Sequence, residues 1–312
     1  FDPDKPWHMS LYGEWTKKSG YARLEPDGSV ARLVWLDKNV SALAKAEDAG
    51  VYRYIVQDYD DSPDIFVGDA DLMGARQVTK TNPFQGDYAW GRSELLDYTT
   101  DKGRRLQGAL FYPAVYEPGK QYPMIVYNYE LLSQMVHRYI VPSDRSYYNI
   151  SVFTSQGYLV LEPDIVFRTR QPGWSVVECI TAGVGKVIEM GVVDPARVGI
   201  VGHSMGGLLA QMLGARGLGK GLVLLTPASP AGINALTYSV VRSFWGILSK
   251  WGFWRDSHRI SFNAASYAMM HRLTAEQRRS EYAKLGFESG RAAAEIGFWL
   301  LDINGAARVD PA

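Results

Sequence analysis

The chain has 312 residues, 46% of them hydrophobic and 12% aromatic, enough to fill a sizeable core in one large domain or two ordinary ones. Thirty-three basic residues balance 33 acidic ones, which excludes the charge excess expected of a nucleic-acid or anionic-membrane binder. The single cysteine, Cys179, excludes an intrachain disulfide framework and sits on the apolar side of an expected helix as an inert thiol. No apolar run approaches the roughly 18 residues of a membrane span, and the opening Phe1-Asp2-Pro3-Asp4-Lys5 is unlike a signal peptide, so a soluble, cytoplasmic chain is expected. The missing initiator Met suggests that it was cut from something longer.

Residues 1–97 read as β-structure. Short alternating runs at Tyr21–Leu24, Ala31–Leu36, Val51–Gln57 and Ile65–Val67 are separated by turn signals such as Pro26-Asp27-Gly28 and Asp60-Asp61-Ser62-Pro63. The spacing predicts one or two blades of a β-propeller or, equally, a small antiparallel sheet packed on the next domain.

From residue 98 the pattern alternates between strands and helices. Strands are expected at Leu106–Tyr112, Pro123–Tyr129 and Tyr158–Leu161. A helix follows over Trp174–Met190, with Trp174, Val177, Thr181, Val184 and Ile188 as its apolar stripe. Asp194-Pro195 leads into the next strand, and Gly221–Leu225 is one more buried strand. This order predicts a mostly parallel sheet with helices on both faces. Beyond it, Ala235–Trp251 shows helical spacing, Thr274 and Gln277 form a capping-box pattern, and Gly290–Leu301 reads as a third helix.

The most informative stretch is Gly202-His203-Ser204-Met205-Gly206-Gly207, a G-x-S-x-G between the apolar run Val198–Val201 and a helix carrying Leu208, Leu209, Met212 and Leu213. Strand before and helix after are what a nucleophile elbow requires. The serine must occupy a sharp turn where a neighbouring Cβ would collide, hence the glycines. Ser204 would project above the sheet edge, with the Met205 N–H aimed where an oxyanion forms. These glycines belong to the elbow and lack the ribose-binding acid of a dinucleotide fingerprint; no phosphate-cradling loop or metal-ligand cluster is evident, so neither metal nor cofactor is expected.

Several segments resemble the prolyl oligopeptidase family of serine peptidases. They are Thr100-Asp101-Lys102-Gly103 with Leu106-Gln107-Gly108, Tyr122–Tyr129, Gly157–Asp164, and Val193-Asp194-Pro195-Ala196-Arg197-Val198. The likeness covers residues 1 to about 207. It implies that the N-terminal part is the end of a β-propeller and that the substrate is an oligopeptide. It also implies that the tyrosine at the end of the second strand, here Tyr129, joins the Met205 N–H in the oxyanion hole. Glu130 follows where that family commonly has glycine. From about 208 to 312 the chain is similar instead to capped α/β-hydrolases of the esterase and lipase type, with Leu222–Ala228 as the strand after the elbow. The helical insertion then implies a cap whose aromatics, Phe244, Trp245, Trp251, Phe253 and Trp254 among them, pack the cap or line an acyl pocket. Both families share Gly-His-Ser-Met-Gly-Gly, so a chimera joined at the elbow is expected.

The expected fold is thus α/β, a doubly wound mostly parallel α/β-hydrolase sheet, incomplete at its C-terminus, with an N-terminal antiparallel β-propeller fragment and a helical cap. The expected domains are a propeller-like fragment (1–97), the hydrolase core with its elbow (98–230), the cap (231–300) and a return toward the core (301–312). The acid and base of a triad are harder to find. In such hydrolases they follow the serine on later strands, yet the sequence ends near where the acid's strand would begin. His258 and His271 are the two histidines after Ser204, His8 and His137 precede it against the expected order, and His203 belongs to the elbow itself. Asp256, Asp302 and Asp310 have no strand-end context. Three functions follow: a serine peptidase acting on oligopeptides through an acyl-enzyme at Ser204, a capped carboxylic ester hydrolase with the same nucleophile, or a catalytically incomplete fragment or chimera that binds without turnover.

Overall fold

The computed structural model describes residues 2, 4–143, 145–146, 148–168, 172–215, 217, 221–233, 236–303, 305 and 307–309; for residues 172, 173, 203–205, 221, 223, 225, 226 and 284 it describes the backbone alone. Its N-terminal part is two open antiparallel sheets. The first joins β1 (Trp7–Tyr12), β2 (Ser19–Leu24) and β3 (Val30–Leu36). The second joins β4 (Asn39–Lys45), β5 (Tyr52–Gln57), β6 (Asp64–Gly68) and the short β7 (Arg76–Gln77). The alternating apolar positions of both sheets meet in one core of Tyr21, Val34, Val40, Tyr54, Val56 and Leu72. The Ser19 hydroxyl stitches the sheets, donating to the Lys38 carbonyl and accepting from the Val40 N–H. These sheets are consistent with a propeller-like fragment, and among the described residues they do not close into a ring. Four of the seven strands contain the runs read from sequence. In β4 the small residues Ser41, Ala42 and Ala44 and a register shift, with Ala42 at a φ of 57°, hide the alternation.

The α/β part is built on a six-stranded sheet. Its elements are β8 (Ser93–Thr99), β9 (Arg105–Phe111), β10 (Tyr122–Tyr127), α1 (Ile150–Ser155), β11 (Leu159–Pro163), α2 (Pro172–Glu189), β12 (Val193–Ser204), α3 (Met205–Gly214) and β13 (Gly221–Pro227). The spatial order is β8-β9-β11-β10-β12-β13. The four strands from β11 to β13 are parallel and the first two antiparallel, which places β12 between β10 and β13. β10 ends at Tyr127, so Tyr129 lies just past the strand rather than within it.

Alternation along β9 and β11 divides the core in two. Leu106, Leu110, Leu159 and Leu161 face a large cluster with α2 and α3, whereas Ala109, Phe111 and Val160 face Val136, Ile150 and Tyr59, the last from the N-terminal sheets. The stripe expected on α2 is displaced by one residue. Val176, Cys179, Ile180 and Val187 are buried, while Trp174, Thr181 and Ile188 are exposed, because the sheet meets the helix along the neighbouring i, i+3, i+4 row.

The remainder is helical. It comprises α4 (Tyr238–Leu248), β14 (Ser257–His258), α5 (Phe262–Ala268), α6 (Ala275–Lys284), β15 (Glu288–Ser289) and α7 (Gly290–Gly297), with β14 and β15 paired. The capping box at α6 is present: the Gln277 N–H donates to the Thr274 hydroxyl and the Thr274 N–H to the Gln277 side chain. α4 begins at Tyr238, capped by Thr237, and Ala235 lies outside the described residues. Neither α5 nor the β14–β15 pair is anticipated, both being too short for a periodicity to register.

Glu162 is buried in β11, on the Val160 face by alternation, and its Oε2 has no hydrogen-bond partner among the described residues. Burial, against a weaker pull from Arg138, pushes its carboxyl from 4.5 up to about 8. A group that keeps its proton in the fold but loses it in the unfolded chain favours unfolding as pH rises, so this residue costs stability progressively from roughly pH 4.5 to pH 8. Glu162→Gln is therefore expected to remove that slope. In urea unfolding, the variant should gain on the wild type by on the order of 2–4 kcal/mol between pH 5 and pH 8.

Candidate active site

β12 passes directly into α3, Ser204 being the last residue of the strand and Met205 the first of the helix. Such an abrupt reversal brings the strand backbone against the helix backbone, and the glycines make room. A Cβ on Gly202 would overlap the Gly206 carbonyl, one on Gly207 would lie 2.7 Å from Pro227 Cβ at the end of β13, and one on Gly206 would lie 3.3 Å from the Asn128 carbonyl oxygen. The first two distances are shorter than any real contact. The side chains of His203, Ser204 and Met205 lie outside the described residues, and their positions here are those of the backbone. The Met205 N–H is among the first N–H groups of α3, which have no partner within the helix, and it stands at the positive end of the helix dipole.

β10 lies alongside β12 in parallel register, Tyr127 opposite Val201. Asn128 and Tyr129 therefore leave β10 at the same carboxyl edge where β12 delivers Ser204, the edge at which open α/β sheets hold ligands. Tyr129 is 56% exposed. Partial burial, then Glu288 from β15, then Glu130 hold its phenol proton more firmly than usual, so it remains a neutral O–H donor. Burial and then Glu130 likewise raise Glu288. Glu288 of β15, in the helical part, thus belongs to the charged surroundings of Tyr129.

Two residues not singled out by sequence support this edge. Asp164, at the end of β11, accepts from the Leu132 and Ser133 N–H groups at 2.8 Å and from the Ser133 hydroxyl at 2.6 Å, which caps the short turn Ser133–Met135 following Tyr129. Asn128 is 1% exposed, and both atoms of its side-chain amide lack partners among the described residues. Buried unpaired amides cost free energy and concentrate where a structure serves something other than stability. A strand-end Asp before a turn was a readable signal for the first. The second had none, because an Asn between two tyrosines reads as any exposed strand end.

The candidate bases are placed apart from these elements in the described contacts. His258 forms part of β14, and its Nε2 meets the Phe253 carbonyl oxygen at 2.7 Å within the helical part. His271 is exposed, and its carbonyl accepts from Arg278. The Asp256 carbonyl accepts from the Gly290 N–H, Asp302 follows the short turn Trp299–Leu301, and Asp310 lies outside the described residues. His8 Nε2 meets the Ala70 carbonyl oxygen among the N-terminal sheets. His137 bridges two aspartates there and is taken up below.

Residues 153–304 match the alpha/beta hydrolase family. Several solved peptidases share the fold. An isopeptidase, AtxE2, without ligand superposes with a TM-score of 0.60 at 14% identity, over 99% of this chain and 55% of its own. Dipeptidyl peptidase 4 of Porphyromonas gingivalis gives 0.56 at 17% identity, over 73% of this chain and 34% of its own. Acylaminoacyl peptidase of Pyrococcus horikoshii gives 0.54 at 15% identity, over 73% and 36%. The chain thus spans between about a third and a little over half of the lengths of these proteins. Strand order, the β12–α3 crossing and these likenesses agree: the chain has the α/β-hydrolase fold, and residues 153–304 match the alpha/beta hydrolase family.

Proposed function

We propose that this chain is a serine hydrolase of the acyl-transfer class, with Ser204 as nucleophile and the Met205 N–H and Tyr129 hydroxyl as oxyanion donors. The observation that carries the reading is the backbone crowding of Gly202 against Gly206, the mark of a strand-to-helix reversal around the serine, with Pro227 of β13 closing on Gly207. In this scheme Ser204 Oγ attacks the substrate carbonyl and its proton passes to a base. The two donors stabilise the tetrahedral oxyanion, the leaving group departs with a proton, and water releases the acyl group by the reverse sequence. Oligopeptides are the substrate class, supported by the peptidases that share the fold and by the N-terminal sheets, which would confine access to short chains.

A second reading, a capped carboxylic ester hydrolase, is favoured by a cavity of about 530 Å³ in the helical part. Phe253, Trp254, Phe298, Leu301 and Ile303 line it, and the Arg291–Glu295 ion pair edges it. We also propose the division into a propeller-like fragment (1–97), hydrolase core (98–230), cap (231–300) and returning segment (301–312).

The acid and base of a triad are not evident in the chain; the candidate bases after Ser204 are His258 and His271, and the described contacts bring neither to the elbow. A serine lacking its histidine loses on the order of a million-fold in turnover, so the base decides between an enzyme and a catalytically incomplete binder. Reaction with a fluorophosphonate probe, followed by mass spectrometry, is expected to place the adduct on Ser204 and to lose it in Ser204→Ala. Loss of labelling in His258→Ala or His271→Ala identifies the base. A folded chain that does not label is instead the incomplete form. Tyr129→Phe is expected to slow labelling by about 100-fold. Gly202→Ala, which forces a methyl into the Gly206 carbonyl, is expected to destabilise the fold by about 2 kcal/mol or more in thermal unfolding and to abolish labelling.

A further inference from the structure

The segment that carries Tyr129 is fastened at two points. Asp164 holds its first turn, as described. Its second fastening is His137, two residues beyond that turn, with its side chain 15% exposed. Nδ1 lies 3.0 Å from Asp58 Oδ1, at the exit of β5, and Nε2 lies 3.3 Å from Asp37 Oδ1, at the exit of β3. One ring therefore faces carboxylates from both N-terminal sheets. Adjacent contacts reinforce the same junction: the Tyr139 N–H donates to Gln57 Oε1 at 3.1 Å, Trp90 stacks on Tyr139, and Val136 is buried against Tyr59 and Phe111.

A neutral imidazole has a single ring N–H and can satisfy one of these carboxylates, leaving the other against a nitrogen lone pair. An imidazolium donates to both. We propose that His137 is a positioning residue for the candidate active site, clamping the Tyr129 segment to the N-terminal sheets when doubly protonated and loosening it when neutral. The other charged groups at this junction are Asp60, Asp61 and Lys38 from the strand ends, with Lys38 paired to Asp61 at 2.7 Å, Arg138 on the segment itself, and Glu162 from β11. Any catalytic consequence rests on the hydrolase reading, whereas the clamp does not.

Hydrogen exchange of peptides covering residues 129–140, corrected for intrinsic rates, tests the clamp between pH 5.5 and pH 8. Measured in the Glu162→Gln background, which removes the separate stability slope of that carboxyl, protection is expected to fall about fivefold as pH rises. In that background it should be insensitive to pH once His137→Gln is added and respond about half as much with Asp37→Asn, whose carboxylate is 66% exposed and therefore safe to change. A flat profile in the Glu162→Gln background overturns the proposal, and so does a full response retained when either substitution is added. Should His137→Gln not fold, Asp37→Asn decides alone. Fluorophosphonate labelling over the same range separates the two readings. An exchange response without any Ser204 adduct sinks the hydrolase reading and leaves the clamp. Labelling with identical pH profiles in wild type and Asp37→Asn, despite an exchange response, sinks the positioning role.

Discussion

The constraint on which this structure depends is the closeness of three backbones at residues 202–207. β12 must turn into α3 without a loop while β13 closes on its other side, and the Pro227 ring comes within contact distance of where a Gly207 Cβ would be. Two side-chain-free positions, one on each limb of the reversal, allow it. Packing of this kind is bistable rather than elastic, because an interior near crystal density cannot absorb a methyl group by small shifts. Through the parallel register with β10, the same crossing fixes which residues share the carboxyl edge with Ser204, namely Asn128 and Tyr129.

Around that edge the structure spends polar groups unevenly. Both carboxylate oxygens of Asp164 are engaged by one turn, which fastens the start of the segment after Tyr129. Asn128 and Glu162, both buried, have unpaired atoms among the described residues. Their cost is borne by the large apolar cluster between the sheet and α2 and α3, whose side chains from Leu110 to Leu213 are almost completely buried. The segment from Tyr129 to Tyr139 thus runs between the Asp164 anchor on the sheet and the His137 ring, set between Asp37 and Asp58, on the N-terminal part.

Much of the α/β architecture was legible because it rests on local signals. The strand–glycine–serine–glycine–helix succession is readable locally, since the turn itself demands Gly202, whereas Gly206 and Gly207 face Asn128 and Pro227 at the ends of neighbouring strands. The capping box at Thr274–Gln277 is likewise a local hydrogen-bond exchange. Where signals were weak, local reading stopped short. The alternation in β4 is obscured by small residues and a register shift, and α1, α5, β14 and β15 are shorter than a detectable period. The stripe on α2 could be drawn along either of two adjacent rows of the same helix. Only the sheet selects which row it covers.

By itself the sequence determined the element types around Ser204, the mostly parallel sheet and the candidate nucleophile, because each follows from contacts between residues close in the chain. Tertiary structure alone decided that Asp164 caps the turn after Tyr129, that Glu288 of β15 acts on the Tyr129 phenol, that the His258 ring is engaged by the Phe253 carbonyl, and that His137 joins Asp37 to Asp58. These groups lie from five to about 160 residues apart, and no periodicity or motif links them. Hydrogen bonds and charges act over a few ångströms in space, and only the folded chain defines which residues those few ångströms contain.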